Sequence, residues 1–159
     1  EMVTRIVEKS GTPEKQLILE LTESCKVSDP NGLRDDFEYF KNMGINMALD
    51  DFGTEYSSIA LLRKLKPQWI KIDHTFVRSI QDDEMDQAIL EYIMNLSKQT
   101  RIKVCVEGVE NKEILSVVQT YKPELLQGYY YSRPCPAEEF SKKYFNGKDK
   151  TGSYGCLKK

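Results

Sequence analysis

At 159 residues, with 30% charged side chains and a formal net charge of −2, the chain has neither the basic field that nucleic-acid binding needs nor an extreme acidic tail, so DNA is not an expected partner. Its length fits one domain with a sizeable core. The four cysteines, Cys25, Cys105, Cys135 and Cys156, lie far apart without a C-x-x-C pair and read as free thiols in a reducing compartment. No apolar run reaches the roughly 18 residues of a membrane span and no signal-peptide pattern opens the chain, so the expected location is the cytoplasm.

Glu1 to Lys9 has apolar residues at Met2, Val3, Ile6 and Val7, a helical spacing with no N-cap before it, as if a helix were entered partway along. Ser10-Gly11-Thr12-Pro13 breaks it. Gln16 to Thr22 reads as a mostly apolar strand interrupted by Glu20, which in an edge strand is also compatible with a solvent-facing position. Leu33, Phe37, Phe40 and Met43 predict a helix over 30–43, closed by Gly44. Ile45 to Leu49 is the next strand, ending in Asp50-Asp51, with a loop from Phe52 to Ser58. Ile59, Leu62 and Leu65 mark a helix stopped by Pro67, and Gln68 to Asp73 a third strand with Lys71 inside it. Trp69, beside that strand, reads as a packing residue. His74 to Ile80 is a turn-rich connection, and His74 reads as a loop residue. Asp82 to Thr100 is a long helix with acids at its amino end, as the macrodipole favours. Ile102 to Val106 is a fourth strand, again ending in acid at Glu107. Asn111 to Tyr121 is a helix, Leu125 to Tyr131 a fifth strand containing Gln127-Gly128, and Pro136 to Phe145 a last helix. Residues 147–159 read as a frayed tail after a domain over 1–146.

Strand and helix alternate through five units with short connections, which predicts an α/β fold with a parallel sheet of right-handed crossovers. Glu20, Asp50, Asp51, Lys71, Glu107 and Gln127 then fall at or near the carboxyl ends of successive strands, the face on which such folds place their sites. Four carboxylates with a lysine and an amide, and no histidine or thiolate, suit Mg²⁺ or Mn²⁺ rather than zinc. Adjacent carboxylates at Asp50-Asp51 can serve two ions, the arrangement that activates water for phosphoryl-ester hydrolysis. Lys71 could orient that water, or simply neutralise Asp50 or Glu107 in a non-catalytic sheet. The pairs Lys142-Lys143 and Lys158-Lys159 read as solvated surface.

Five segments, L-E-L-T-E-S at Leu19 to Ser24, D-D-F-G-T-E-Y-S-S at Asp50 to Ser58, I-K-I-D at Ile70 to Asp73, V-E-G-V-E at Val106 to Glu110 and Q-G-Y-Y-Y-S-R-P at Gln127 to Pro134, resemble the EAL-domain family in order and spacing over about Leu17 to Phe140. The family's members are cyclic-di-GMP phosphodiesterases on a TIM-type barrel. The resemblance implies Glu20 and Asp50 as metal ligands and Asp51 as a ligand shared with, or serving, a second ion. It implies Lys71 as the residue positioning water, Glu107 as a ligand or base, Gln127 as a support of the site, and Glu23 as the glutamate steadying the loop after the aspartates. The implied reaction is Mg²⁺- or Mn²⁺-dependent opening of cyclic di-GMP to linear pGpG, in a protein of the cytoplasm or in the cytosolic part of a larger signalling protein.

Two departures accompany the resemblance. The family's Glu-Ala-Leu strand and the following strand with its ligand asparagine are not among the residues matched, so the expected fold is a partial TIM-type (β/α) barrel of about five parallel strands. Such a barrel leaves strand edges that a second copy or another chain could cover, and the chain by itself is expected to hydrolyse little or nothing. Glu55 stands where the family has glycine, adding negative charge beside the aspartates. The alternative to the phosphodiesterase is a degenerate module that binds nucleotide or a protein without hydrolysis.

Overall fold

The computed structural model describes residues 2–22, 30–54 and 58–145. Glu23, Glu55 and the tail at 147–159 lie outside the described residues. Helices and strands alternate as α1 (Met2–Ser10), β1 (Ile18–Thr22), α2 (Pro30–Asn42), β2 (Asn46–Phe52), α3 (Ser58–Leu65), β3 (Trp69–Ile72), α4 (Glu84–Thr100), β4 (Lys103–Val106), α5 (Lys112–Val118), β5 (Leu125–Leu126) and α6 (Ala137–Tyr144). All neighbouring strands pair in parallel in the order β1-β2-β3-β4-β5. Sequential parallel order with a helix in each crossover is the arrangement of consecutive units of a (β/α) barrel.

The strands divide their side chains by the two-residue period of extended chain. Met47 and Leu49, Ile70 and Ile72, and Val104 and Val106 point to one face and form a core with Phe37 of α2, Leu62 and Leu65 of α3, Leu90, Ile93 and Met94 of α4, and Ile114 and Val118 of α5. Burying each such side chain stabilises the fold by about 1.5–3 kcal/mol, which is why the alternation reports register so well. The opposite face carries Glu20, Ala48, Trp69, Lys71 and Cys105, joined across the sheet by the pairings Glu20 with Ala48, Ala48 with Trp69, and Lys71 with Cys105.

Several element ends follow local chemistry. Asp83 caps α4 by accepting from the backbone N–H groups of Met85 and Asp86, so that helix begins at Glu84 rather than Asp82. Asn111 caps α5 in the same way through Ile114 N–H, and the last turn of the expected helix tightens into a 3₁₀ turn at Gln119–Tyr121. β5 is two residues long: Gln127 to Tyr131, expected to continue it, is a turn in which Tyr131 and Ser132 N–H donate back to Gly128 C=O. Among the described residues no helix is long and apolar enough to cross a membrane.

Candidate active site

β2 is the strand that builds the site, and it does so by breaking its own period. Leu49 pairs with Ile70 and Phe52 with Ile72, so Asp50 and Asp51 together oppose the single residue Lys71. This is a β-bulge, and it sits in a parallel pair, where bulges are rare. Asp51 takes a left-handed backbone (φ 53°), followed by Gly53 at φ 102°. The left-handed region costs an ordinary residue about 1–2 kcal/mol, and aspartate tolerates it better than most. The extra residue restores Phe52 to the core face, where it is 4% exposed, and the burial offsets that cost. Without the bulge, two adjacent strand residues would project to opposite faces and Asp51 would be turned away from Asp50 and Glu107. Thr54 ties the turn, its N–H and hydroxyl both donating to Asp51 C=O. Gly53 is required twice over, since a Cβ there would also lie 2.9 Å from the Phe76 ring.

Lys71 is the hub. Its Nζ lies 2.9 Å from Glu20 Oε2, 2.9 Å from Asp50 Oδ1 and 2.8 Å from Glu107 Oε1. The lysine is 8% exposed; burial alone would discharge it, but its three carboxylate partners outweigh desolvation and hold its pKa above the ordinary lysine value. Asp50 Oδ1 is buried, with the Lys71 ammonium 2.9 Å away as its charged neighbour. One oxygen each of Asp50, Asp51 and Glu107 lie within 4.8 Å of one another. Desolvation raises the Glu107 carboxyl above its usual range despite Lys71. Desolvation, then repulsion from Asp50 and Asp73, raises that of Asp51.

Two connecting loops complete the rim. Glu107 follows β4 and continues its ladder through Glu107 N–H to Ile72 C=O. Gly108 turns the chain at φ 72°, where a Cβ would come within 2.5 Å of His74 Cβ. Gln127, expected inside a strand, stands just beyond β5 with its side chain exposed. Its backbone is zipped to the Glu107 loop by Gln127 N–H to Val106 C=O, Val109 N–H to Gln127 C=O and Tyr130 N–H to Val109 C=O. Gly128 makes that approach feasible, since a Cβ there would lie 2.1 Å from Val109 O.

Asp73 was not singled out from the sequence, yet it is 5% exposed and organises the loop after β3. Its carboxylate accepts from Thr75 N–H, Thr75 hydroxyl and His74 Nδ1, and these bonds hold its pKa down against desolvation. The signal available in sequence was an aspartate two residues before a threonine at a strand end, the pattern of an Asx turn. Cys105, beside Lys71, is buried and its thiol is pushed up to about 11 by desolvation and then by the Glu107 charge.

Glu20, Asp50 and Glu107 thus meet on Lys71, Asp51 joins Asp50 and Glu107, and Gln127 reaches the group only through its backbone. An all-oxygen donor set with an excess of negative charge fits a hard divalent cation. These features define a class: consecutive (β/α)-barrel units with an acidic, lysine-linked oxygen site at the carboxyl ends of the strands.

The chain belongs to the EAL domain family, whose profile matches residues 1–134. It is 34% identical over 145 residues to the cyclic di-GMP phosphodiesterase NbdA of Pseudomonas aeruginosa, covering 89% of this chain and 18% of NbdA. The crystal structure of the EAL domain of Mycobacterium smegmatis DcpA superposes with a TM-score of 0.85 at 29% identity, over 92% of this chain and 66% of that one. The manganese and cyclic-di-GMP complex of Klebsiella pneumoniae BlrP1 superposes with a TM-score of 0.78 at 30% identity, over 84% of this chain and 34% of BlrP1. The chain therefore spans less than two thirds of NbdA and of BlrP1, and its fold is that of part of an EAL barrel.

Proposed function

We propose that these residues form the second part of a cyclic-di-GMP phosphodiesterase site, which opens the cyclic dinucleotide to linear pGpG with Mg²⁺ or Mn²⁺. The observation that carries the reading is the convergence of Asp50, Asp51 and Glu107 oxygens opposite Lys71, produced by the bulge in β2. Glu20, Asp50, Asp51 and Glu107 would hold the ions, with Asp51 shared with or serving the second. When bound, the ions supply Lewis acidity toward the phosphoryl oxygens and a water nucleophile at neutral pH. Glu107 is the candidate to take a proton from that water if it is left free of the ions, and Asp51 the carboxylate that would serve both. Lys71 keeps three carboxylates in register and offsets charge developing on the phosphate. Gln127, in the turn after β5, would support the site, and the family resemblance gives Glu23, outside the described residues, the task of steadying the loop after the aspartates.

The family's Glu-Ala-Leu strand is not among the 159 residues, and the chain alone is expected to turn over little cyclic di-GMP. Joined to the first strands of an EAL barrel, it should convert cyclic di-GMP to pGpG with Mn²⁺, measured by chromatography, and Asp50→Asn should abolish conversion. Absence of turnover by the joined chain overturns the reading. A second reading, a non-hydrolysing nucleotide-binding or interaction module, is favoured by the engagement of Glu20, Asp50 and Glu107 with Lys71 itself. Calorimetric binding of cyclic di-GMP without product supports it. Among the described residues β1 and β5 each pair on one side only, so a second copy or another chain covering those edges is a further expectation. A monomeric mass at high concentration in light scattering counts against a homodimer.

A further inference from the structure

The turn after β3 touches both loops that carry the carboxylates. β3 lies between β2 and β4 in the sheet, so the chain leaving it at Asp73 passes between the aspartate turn and the Glu107 turn. His74–Phe76 is a single 3₁₀ turn capped by Asp73, whose carboxylate accepts from Thr75 N–H. The residues that follow anchor it, with Val77 and Ile80 fully buried in the core and Phe76 half-buried against that core.

Each flank of this turn is fitted to a glycine. On one side the Phe76 ring occupies the place a side chain at Gly53 would take, its Cε2 and Cζ standing 2.9 and 3.0 Å from the position of that Cβ. On the other, His74 Cβ and Cα stand 2.5 and 2.9 Å from where a Cβ on Gly108 would be. Both glycines have left-handed backbones, which accounts for their identity but not for what is packed on them. Gly53 follows Asp51 by two residues and Gly108 follows Glu107 directly, so one anchored turn bears on both donor loops.

The donors need such a spacer. Oxygens of Asp50, Asp51 and Glu107 lie within 4.8 Å of one another, and like charges at that separation repel. Lys71 offsets the repulsion for Asp50 and Glu107 through its ion pairs, whereas among the described residues Asp51 forms none. The place of Asp51 therefore depends on the backbone of its own turn, and that turn rests on the Phe76 ring. In a close-packed contact, removing the ring lets the turn shift into the space it leaves.

We propose that Phe76 is a positioning residue of the carboxylate site: its ring, seated on Gly53, fixes where Asp51 stands relative to Glu107 and so sets how tightly the site holds a divalent cation. This role rests on the metal-dependent reading of the site and adds to it a residue that is not a ligand. The test is Mn²⁺ binding to the 159-residue chain without nucleotide, followed by loss of the free-ion signal in electron paramagnetic resonance, with Asp50→Asn marking the ions held at this site. Phe76→Leu keeps an apolar side chain and removes the ring edge; it should fold and bind Mn²⁺ at least 5-fold more weakly than the parent, and Phe76→Ala at least 10-fold. Val77→Ala, in the same segment but facing the core, separates placement from stability: it should lower Tm and leave the Mn²⁺ affinity within 2-fold. Equal affinity of Phe76→Leu and the parent, or a loss in Val77→Ala as large as that in Phe76→Leu, would overturn the proposal and leave the metal reading standing. No binding by the parent at millimolar Mn²⁺, or equal binding by Asp50→Asn, would overturn both.

Discussion

Replacing Lys71 by methionine keeps most of the side-chain volume and removes the charge, so it isolates the electrostatic role of the hub. The side chains of Asp50 and Glu107 are 16% and 15% exposed, and without the ammonium both lose their close cation. Breaking a buried ion pair from one side costs about 3–5 kcal/mol. Glu20, at 43% exposure, is well hydrated and adds little, so the low end, about 3 kcal/mol, is expected. For a domain of this size that is roughly 6–12 °C in Tm. The sign of its pH dependence follows from linkage. In the parent chain Lys71 has a pKa raised in the folded state, so its stabilisation is fully present below the ordinary lysine value and fades only as pH rises through the higher folded one. In Lys71→Met, Glu107 loses the cation that lowers its carboxyl, and its folded pKa, already raised by desolvation, moves further up. Its penalty is full above the carboxylate range and shrinks as pH falls and it takes up a proton. Thermal denaturation at pH 5, 7 and 8.5 checks this: the variant should lose most at pH 8.5 and least at pH 5. A Tm at pH 7 within 2 °C of the parent, or a deficit that grows toward low pH, would refute the hub.

Asp51→Asn should raise stability at pH 7 by about 0.5–1 kcal/mol, because it removes a carboxylate that desolvation, Asp50 and Asp73 disfavour while asparagine keeps the left-handed backbone. The gain should vanish as acid protonates Asp51 in the parent, and denaturant melts at two pH values measure it. Gly128→Ala should cost about 1–3 kcal/mol in the same assay, since its Cβ would drive into Val109 O, N and C and part the two loops that carry Glu107 and Gln127. Mn²⁺ should raise the Tm of the parent chain and leave that of Asp50→Asn unmoved, whether or not either turns over substrate. Cys105, with its thiol pushed up to about 11 and its side chain buried, should resist alkylation at pH 8 in the native state while Cys135, half-buried, reacts before it; peptide mapping reads the order of these two.

Much of the fold was legible in the chain because burial imposes a period. Met47 and Leu49, Ile70 and Ile72, and Val104 and Val106 each alternate as one-face strands must, and Leu62, Leu65, Leu90 and Ile93 recur as helix faces must. The acids at strand ends were legible for a related reason: Asp50 and Glu107 would be prohibitive in mid-core and so mark where a strand meets a site. The ends of elements were less so. Gln127 followed two leucines and preceded three tyrosines, a composition that favours a strand, but Gly128 packs on Val109 and the chain turns there instead.

By itself the sequence determined the alternation of strands and helices, the parallel sheet and the set of residues gathered at its carboxyl end, since these follow from the spacing of apolar side chains and the cost of burying charge. Only the tertiary structure decided how that set is joined. The bulge that turns Asp51 to the side of Asp50, the meeting of Glu20, Asp50 and Glu107 on Lys71, and the use of Asp73 to hold a loop all depend on pairing register and helix placement. Such distances are set by packing between segments remote in the chain, and no local pattern of residues encodes them.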